Sequence, residues 1–216
     1  MISTGLEKLD ELLGGGIKNG IITDIFGPSS TGKTQMALQI AVNCLSRGGT
    51  ILYQDTTGSF RPERLLDMLK PRGLDASLLD KITVGRIMST QEQFSTISKI
   101  TQPDYSLVII DNITDLFSFE YSREEQILEK NKQFTKYMKQ LASAVFEKKI
   151  PLVAVNMIRK INDSEQENLD SVMSLFTHVK IRLSKNSASY AGQVFPHSGE
   201  NRFYYTIEKN GLMSLT

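Results

Sequence analysis

The chain has 216 residues, of which 40% are hydrophobic, and this is enough apolar material for one domain with a buried core. Its 25 Lys and Arg residues nearly balance its 24 Asp and Glu residues, and the net charge of +1 excludes a whole-molecule field that would attract nucleic acid or a membrane. The single cysteine, Cys44, excludes an intrachain disulfide and is typical of a reducing compartment. Because no apolar run approaches the ~20 residues of a membrane span, we expect a cytoplasmic protein with one domain over residues 1–216.

Short apolar runs alternate with helical patterns along the chain. This alternation is typical of an α/β fold in which helices flank a largely parallel central sheet. The predicted strands are residues 21–26, 50–54, 81–84, 107–110, 151–155, 178–183 and 203–208. Because no long helix separates the last two, we expect an antiparallel extension of the sheet at its C-terminal end.

Two helix starts carry a capping signal. Ser89 is followed by Glu92, and Ser122 by Glu125, so each serine is predicted to cap a helix and each glutamate to complete a capping box. The second signal precedes a long helix with an apolar face that we expect in the core, formed by Ile127, Phe134, Met138, Leu141, Val145 and Phe146. Pro71 and Pro103 are predicted to end the preceding helices.

The segment GPSSTGKT, residues 27–34, fits the phosphate-binding pattern G-x-x-x-x-G-K-[ST] between a predicted strand and a helix predicted to begin near Lys33. Gly27 and Gly32 let successive backbone N–H groups converge on phosphates, which the N-terminal end of the helix also attracts. Lys33 is expected to contact the β and γ phosphates, and Thr34 to bind Mg²⁺. The predicted cofactor-binding residues of this segment are Gly27, Pro28, Ser29, Ser30, Thr31, Gly32, Lys33, Thr34 and Gln35.

An aspartate ends a later apolar run. In SLVIID, four apolar residues lead directly into Asp111, where a strand end would place the carboxylate beside Thr34 and hold Mg²⁺ through coordinated water. The alternative is that Asp111 only caps the turn DNIT, a common role for aspartate.

Taken in order, five segments resemble the RecA/RadA recombinase superfamily, and within it the archaeal RadB branch of RadA paralogs. They are residues 3–35, FRPERL at 60–65, LVIIDNITDLF, AVNMIR and PHSGENRFYYTIEKNG. The resemblance covers essentially the full chain and implies a RecA-like P-loop NTPase core that binds ATP and Mg²⁺, with Arg64 against the adenine. A solvated helix start after Pro62 is the alternative role for Arg61 and Arg64. From the resemblance we expect a protein without the N-terminal helical DNA-binding domain and the Phe-x-x-Ala polymerisation motif of full-length RadA.

Two positions depart from the resemblance at the expected catalytic site. Thr57 stands where active recombinases carry the Glu of T-E-G, and a neutral hydroxyl cannot act as the general base that orients the attacking water. Asp55 is a conceivable substitute if the strand continues. Met157 stands where the family has a Gln that senses the γ phosphate, and a thioether cannot donate a hydrogen bond to it. We therefore expect at most weak ATPase activity.

The segment after Asn156 corresponds to a DNA-binding loop of the recombinases. Here it carries Arg159 and Lys160, the candidate DNA contacts, against Asp163, Glu165, Glu167 and Asp170. A loop with more acidic than basic residues is a poor surface for phosphates, because such binding depends on cation contacts. Lys180, Arg182 and Lys185 are additional candidate cations or a solvated strand face.

The favoured function is an ATP-binding accessory or regulatory factor in homologous recombination and DNA repair, without strand exchange of its own. Its implied partners are ATP, DNA and a RadA-type recombinase or other repair protein, with no membrane. Residues 196–200, PHSGE, resemble a segment that covers the ATP of a neighbouring subunit, which suggests a homo-oligomer; a surface loop is the alternative for His197. A KaiC-like P-loop signalling or scaffold protein, in which ATP stabilises an oligomer and DNA is not a ligand, is the alternative function.

Overall fold

A computed structural model describes residues 1–101, 104–161, 164–186, 189–196 and 199–215 of the chain, with the backbone alone for Lys160 and Ile161. The helices are α1 (Glu7–Leu13), α2 (Lys33–Leu45), α3 (Pro62–Leu69), α4 (Thr90–Ser95), α5 (Ile97–Thr101), α6 (Asp115–Glu120), α7 (Ile127–Lys148) and α8 (Asp170–Phe176). The strands are β1 (Ile22–Phe26), β2 (Ile51–Asp55), β3 (Ile82–Arg86), β4 (Leu107–Asp111), β5 (Leu152–Val155), β6 (Ile158–Ile161), β7 (Ser164–Glu167), β8 (Val179–Lys185), β9 (Tyr190–Phe195), β10 (Arg202–Glu208) and β11 (Gly211–Ser214).

Within the described part of the chain, nine strands form one mixed sheet in the order β11-β10-β9-β8-β1-β5-β4-β2-β3. The pairings from β8 to β3 are parallel, whereas β8 to β11 pair antiparallel. The expected α/β class with an antiparallel C-terminal extension is therefore confirmed. Because the carboxyl ends of parallel strands meet at one sheet edge, the segments that follow β1, β2, β4 and β5 lie together there.

The core has two parts because successive residues of a strand point to opposite faces. Odd-numbered β4 and β2 residues, such as Ile109 and Tyr53, pack toward α1, α2 and α3. Even-numbered residues, such as Val108 and Leu52, pack toward α7 and its neighbours. Both helical layers thus cover strands that are apolar on each face, which explains the continuous apolar runs in the sequence.

Four of the described strands were not predicted from the sequence. β9 lies between β8 and β10, so the two predicted C-terminal strands are not neighbours. Its sequence, YAGQVF, is interrupted by a glycine and a glutamine and lacks a strong strand pattern. β11 is short, and β6 and β7 form a separate antiparallel pair whose sequences, IRKI and SEQE, are highly polar. Local propensity did not indicate any of these four.

The serine cap is confirmed at one of the two helix starts, but its capping box is not, because the Glu92 side chain accepts from the Met88 N–H at 2.7 Å and not from the Ser89 N–H. The Ser89 hydroxyl accepts a hydrogen bond from the Glu92 backbone N–H at 3.1 Å, as expected for an N-cap. The Ser122 prediction is wrong, because the turn that precedes α7 is capped one residue later, where the Arg123 N–H donates to the Gln126 side chain.

Four of the six apolar residues predicted for the buried face of α7 are in the core. Ile127 and Phe146 are exceptions, with exposed fractions of 47% and 74%. Ile127 is the first residue of the helix, and Phe146 is rotated by one residue from the buried Val145, so neither faces the sheet.

None of the helices in the described residues combines the length and the apolar character of a membrane span. α3 ends at Leu69 ahead of Pro71, and Pro103 is outside the described residues.

Candidate nucleotide-binding site

The phosphate-binding loop follows β1 and passes tightly against the antiparallel extension. A Cβ atom on Gly27 would lie 2.2 Å from the Leu183 carbonyl oxygen, so no larger residue fits there without backbone movement. Gly32 has a φ of +89°, and a Cβ there would lie 3.0 Å from Cδ1 of Ile207. β8 and β10 therefore fix the path of the loop, and α2 begins at Lys33 directly after it.

The Lys33 ammonium group lies inside this loop. Its Nζ donates to the carbonyl oxygens of Gly27 at 2.9 Å and of Pro28 at 2.7 Å. Burial lowers the pKa of Lys33, and the nearby Asp111 carboxylate opposes that shift. The cation is thus positioned at the N-terminal end of α2, where anions are also attracted by the helix dipole.

The hydroxyl of Thr34 and the carboxylate of Asp111 meet across the sheet edge. Thr34 Oγ1 donates to Asp111 Oδ2 at 2.7 Å, and the hydroxyl of Tyr53 donates to the same oxygen at 2.9 Å. Burial raises the pKa of Asp111, although the hydrogen bonds from Thr34 and Tyr53 oppose the shift. Tyr53 was not anticipated from the sequence. Its place became clear only from the register of β2 and β4, which pairs it with Ile109, on the same sheet face as Asp111.

Asn112, and not Asp111, caps the turn DNIT. Asn112 Oδ1 accepts hydrogen bonds from the Thr114 N–H at 3.0 Å and the Thr114 hydroxyl at 3.2 Å. Asp111 remains directed toward Thr34.

A cleft of about 400 Å³ opens beside the loop. Its lining residues are Ser30, Gly32, Lys33, Thr34, Gln35, Arg64, Tyr190 and Ile207. Arg64 is thus brought from α3 to the loop, whereas Arg61 donates to the carbonyls of Gly58 and Phe60. Tyr190 and Ile207 were not anticipated.

The residues present fit a magnesium nucleotide. Within the described ranges, no group of three or more His, Cys, Asp and Glu side chains could hold a metal ion by itself. Mg²⁺ usually binds proteins through one or two carboxylates, with phosphates and water completing its ligands. The Thr34 hydroxyl and the Asp111 carboxylate supply the protein part of this set, and the Lys33 cation beside them can pair with the phosphates.

The loop after β2 holds Thr57 through the neighbouring aspartate. Asp55 accepts hydrogen bonds from the backbone N–H groups of four consecutive residues, at distances of 2.7 to 3.2 Å: Thr57, Gly58, Ser59 and Phe60. Its carboxylate also pairs with Arg86 at 3.5 Å. Both carboxylate oxygens of Asp55 are thus occupied by contacts that hold the loop. This geometry does not support Asp55 as a substitute general base. The Thr57 hydroxyl itself contacts Ser59 Oγ at 2.7 Å.

Met157 follows β5 at the same sheet edge, next to a buried amide network. The Asn156 side chain accepts from the Thr114 hydroxyl at 2.7 Å and donates to Glu167 at 3.0 Å. The Met157 carbonyl accepts from the Asn168 N–H at 2.9 Å. These contacts fix the base of the β6–β7 hairpin to the end of β5.

Most described acidic residues of this hairpin region are paired with cations of β8. Lys180 contacts Glu167, and it contacts Asp170 at 2.6 Å, while Arg182 lies 3.4 Å from Glu165. Lys180 is therefore a mostly buried ion-pair partner with a side chain only 14% exposed, not a free surface cation. Arg159 is exposed on β6, and Asp163 and the Lys160 side chain are outside what the structure describes.

Asp24 of β1 extends this cluster into the core and was not singled out from the sequence. It is fully buried, and neither of its oxygens has a hydrogen-bond donor among the described residues. Burial and the adjacent Glu167 raise its pKa well above the ordinary value. In its protonated form Asp24 can donate to Glu167, so a neutral carboxyl fits this position better than a carboxylate.

Pro196, Gly199 and Glu200 of the predicted ATP-covering segment are exposed. His197 lies outside the described residues.

Comparison with known proteins agrees with this arrangement. A family model described as Rad51 matches residues 1–209. A protein named DNA repair and recombination protein RadB, from Thermococcus sibiricus, is 40% identical over 137 residues, which are 62% of this chain and 59% of that relative. Proteins of the same name from Thermococcus gammatolerans and Thermococcus onnurineus are each 36% identical, over 73% and 80% of this chain and 70% and 75% of their own lengths. The chain therefore belongs to the Rad51 family.

Proposed function

We propose that this protein is an ATP-binding accessory or regulatory factor in homologous recombination and DNA repair, with weak ATP hydrolysis and no strand exchange of its own. The observation that carries the nucleotide assignment is the 2.7 Å hydrogen bond between Thr34 and Asp111, which joins residues 77 positions apart. It places a hydroxyl and a carboxylate beside Lys33 at the N-terminus of a helix of 13 residues. This is the arrangement that phosphates and a hard cation require.

In the proposed complex, magnesium ATP supplies the phosphoryl group and the charge that these residues recognise. Lys33 would exchange its contacts with the Gly27 and Pro28 carbonyls for phosphate oxygens, which stabilise its charged form. Thr34 and Asp111 would orient the metal, and Arg64 would lie against the base, since a planar guanidinium suits stacking on a ring.

Weak hydrolysis follows from Thr57. Its hydroxyl is neutral and is engaged with Ser59, so it offers no base to the attacking water. Losing a general base commonly lowers a rate by about 10²-fold to 10⁴-fold. ATP would therefore remain bound for a long time before it is hydrolysed. Slow hydrolysis suits a protein in which bound ATP stabilises an assembly.

The repair role is supported by the matched relatives, whose printed name assigns them to DNA repair and recombination. The alignment spans 59% of the length of the relative from Thermococcus sibiricus. The activity and the partners of this chain are therefore part of the proposal.

A second candidate is a KaiC-like scaffold in which DNA is not a ligand. One observation favours it: Glu165, Glu167 and Asp170 bind the cations of β8 that would otherwise face a phosphate backbone. A DNA titration separates the two candidates, because only the repair factor is expected to bind DNA.

Thermal unfolding with magnesium ATP tests the nucleotide assignment. We expect ATP at about 100 times its Kd to raise the melting temperature by about 5 to 10 °C, because a ligand that binds only the folded state stabilises it. Lys33→Ala should abolish this shift. Lys132→Ala, which removes a lysine with a side chain 76% exposed, is the matched control and should retain the shift. Equal shifts in the wild type and in Lys33→Ala would refute the assignment.

A further inference from the structure

Three aromatic rings form a continuous stack on the β9–β10 part of the sheet. Tyr190 lies over Tyr205 with ring centroids 5.6 Å apart and an interplanar angle of 29°, and Tyr205 lies over Phe203 at 5.8 Å and 30°. Phe203 and Tyr205 are buried, whereas Tyr190, at the outer end, is half-buried. Gly192 makes room for the stack, since a Cβ there would lie 2.0 Å from Cζ of Phe203.

This stack is tied to the phosphate-binding loop. The Tyr205 hydroxyl donates to the carbonyl oxygen of Thr31 at 2.7 Å. Ile207, two residues further along β10, would contact a Cβ on Gly32 at 3.0 Å. The position of Tyr190 relative to Lys33 and Thr34 is therefore fixed by packed side chains and a buried hydrogen bond.

Tyr190 lines the same cleft as Lys33, Thr34 and Arg64. The loop residues and Lys33 account for the phosphate end of a nucleotide. Arg64, Tyr190 and Ile207 are the lining residues that do not belong to the loop or to α2, and none of them carries a carboxylate. A planar cation, an aromatic ring and an aliphatic side chain suit the nucleoside end, where a flat base and a ribose must be desolvated.

We infer that Tyr190 contacts the nucleoside part of ATP and thereby favours a nucleoside triphosphate over a bare polyphosphate. This inference rests on the proposed ATP binding and adds a specificity-determining residue contributed by the same chain. Tyr190 is preorganised for the contact, because Tyr205 packs against one face of its ring and holds it beside the cleft. The Lys185 ammonium lies over the same ring, 5.4 Å from its centroid, and this exposed, flexible side chain would move aside for a base that stacks on Tyr190.

Calorimetric titration with magnesium ATP and with magnesium tripolyphosphate tests the inference. Tyr190→Ala should weaken ATP binding by on the order of tenfold, because stacking on an aromatic ring contributes that much per base, and should leave tripolyphosphate binding unchanged. Tyr190→Phe should retain ATP binding within about twofold, since the ring persists. Tyr204→Ala is the matched control: this exposed tyrosine is on the opposite face of β10, and its removal should change neither affinity.

Tyr190→Leu keeps apolar packing on Tyr205 and separates a nucleoside contact from a folding defect. ATP affinity reduced in Tyr190→Leu with tripolyphosphate affinity intact supports the contact. Unchanged ATP affinity in Tyr190→Ala, or an equal loss of both ligands in all three Tyr190 variants, overturns the inference while leaving ATP binding by the wild type in place. A wild type that binds neither ligand overturns the proposed function as well.

Discussion

Contacts of Asp55 and Thr56 hold the loop after β2, which has no carboxylate at position 57. Its backbone N–H groups converge on Asp55, which comes from the end of β2, and Thr56 binds the Asn112 carbonyl at 2.8 Å. The loop is therefore held to β4 and Asp111 by residues other than Thr57. Because Thr57 is exposed and contributes little to this scaffold, its identity affects chemistry more than folding.

Thr57→Glu should increase the rate of ATP hydrolysis. A carboxylate at this exposed position can act as a general base, and the scaffold around it stays intact, so we expect the rate to rise by at least about tenfold. Phosphate release under saturating magnesium ATP measures it.

Ser59→Glu is the matched control for this change. It adds the same charge two residues away in the same loop and should leave the rate unaltered. A wild type that already hydrolyses ATP rapidly, together with a slower Thr57→Glu variant, would contradict the role assigned to position 57.

Among the elements, the β6–β7 hairpin is held by polar contacts in place of apolar packing. Glu167 and Asp170 share Lys180, Glu165 pairs with Arg182, and Asn156 binds Glu167. Asp24 of β1 lies beneath this cluster. Buried and partly buried charged groups thus connect the hairpin with β1 and β8.

Asp24→Asn should make folding stability less sensitive to rising pH. Burial raises the folded-state pKa of Asp24, so above an unfolded-state pKa of about 3.9 the unfolded chain releases a proton that the folded chain retains. Stability from this group is thus present at low pH and is lost as pH rises toward the folded pKa, by up to about 1.4 kcal/mol per pH unit. Asparagine cannot ionise and avoids this loss. Urea unfolding from pH 4.5 to pH 8 should show the variant gaining stability over the wild type as pH rises.

Asp170→Asn provides a control of opposite sign. Partial burial alone would raise the pKa of Asp170, but hydrogen bonds from Lys180 and Ser174 outweigh it and lower the pKa. Its stabilising effect grows as pH rises from the folded-state pKa to the unfolded-state pKa of about 3.9 and is complete above it, so Asp170→Asn should be less stable than the wild type by a nearly constant amount from pH 4.5 to pH 8. A pH-independent difference between Asp24→Asn and the wild type would contradict a protonated Asp24.

At the scale of the whole molecule, charge is balanced both globally and locally. The net charge is +1, and the described acids of the hairpin region are matched by Lys180 and Arg182. Arg159 is exposed. Burial lowers the pKa of Lys130 in α7, and repulsion by the Arg159 cation lowers it further. A DNA surface here would thus be small and local.

DNA titrations at two salt concentrations, with and without ATP, separate a repair factor from a scaffold. For the repair factor we expect salt-sensitive binding, because cation contacts release counterions, and Arg159→Ala with Lys160→Ala should reduce the dependence of log K on log salt by about one per lost contact. Lys148→Ala, at the far end of α7, is the matched control and should behave as the wild type. Absence of binding at low salt would favour the scaffold.

The α/β class, the strand–loop–helix arrangement at residues 27–34 and the carboxylate that ends β4 could be predicted from the sequence, because each is a local pattern. Glycines at fixed spacing, an apolar run and a helix start are written in consecutive residues. Which side chains meet across strands could not be predicted, because it depends on how the strands are ordered and paired in the folded sheet. Tyr53 reaches Asp111, Tyr205 supports the loop through Thr31, and Asp24 lies under Glu167, because strand order and register bring them together. Such contacts join residues up to 174 positions apart, and no local periodicity encodes them.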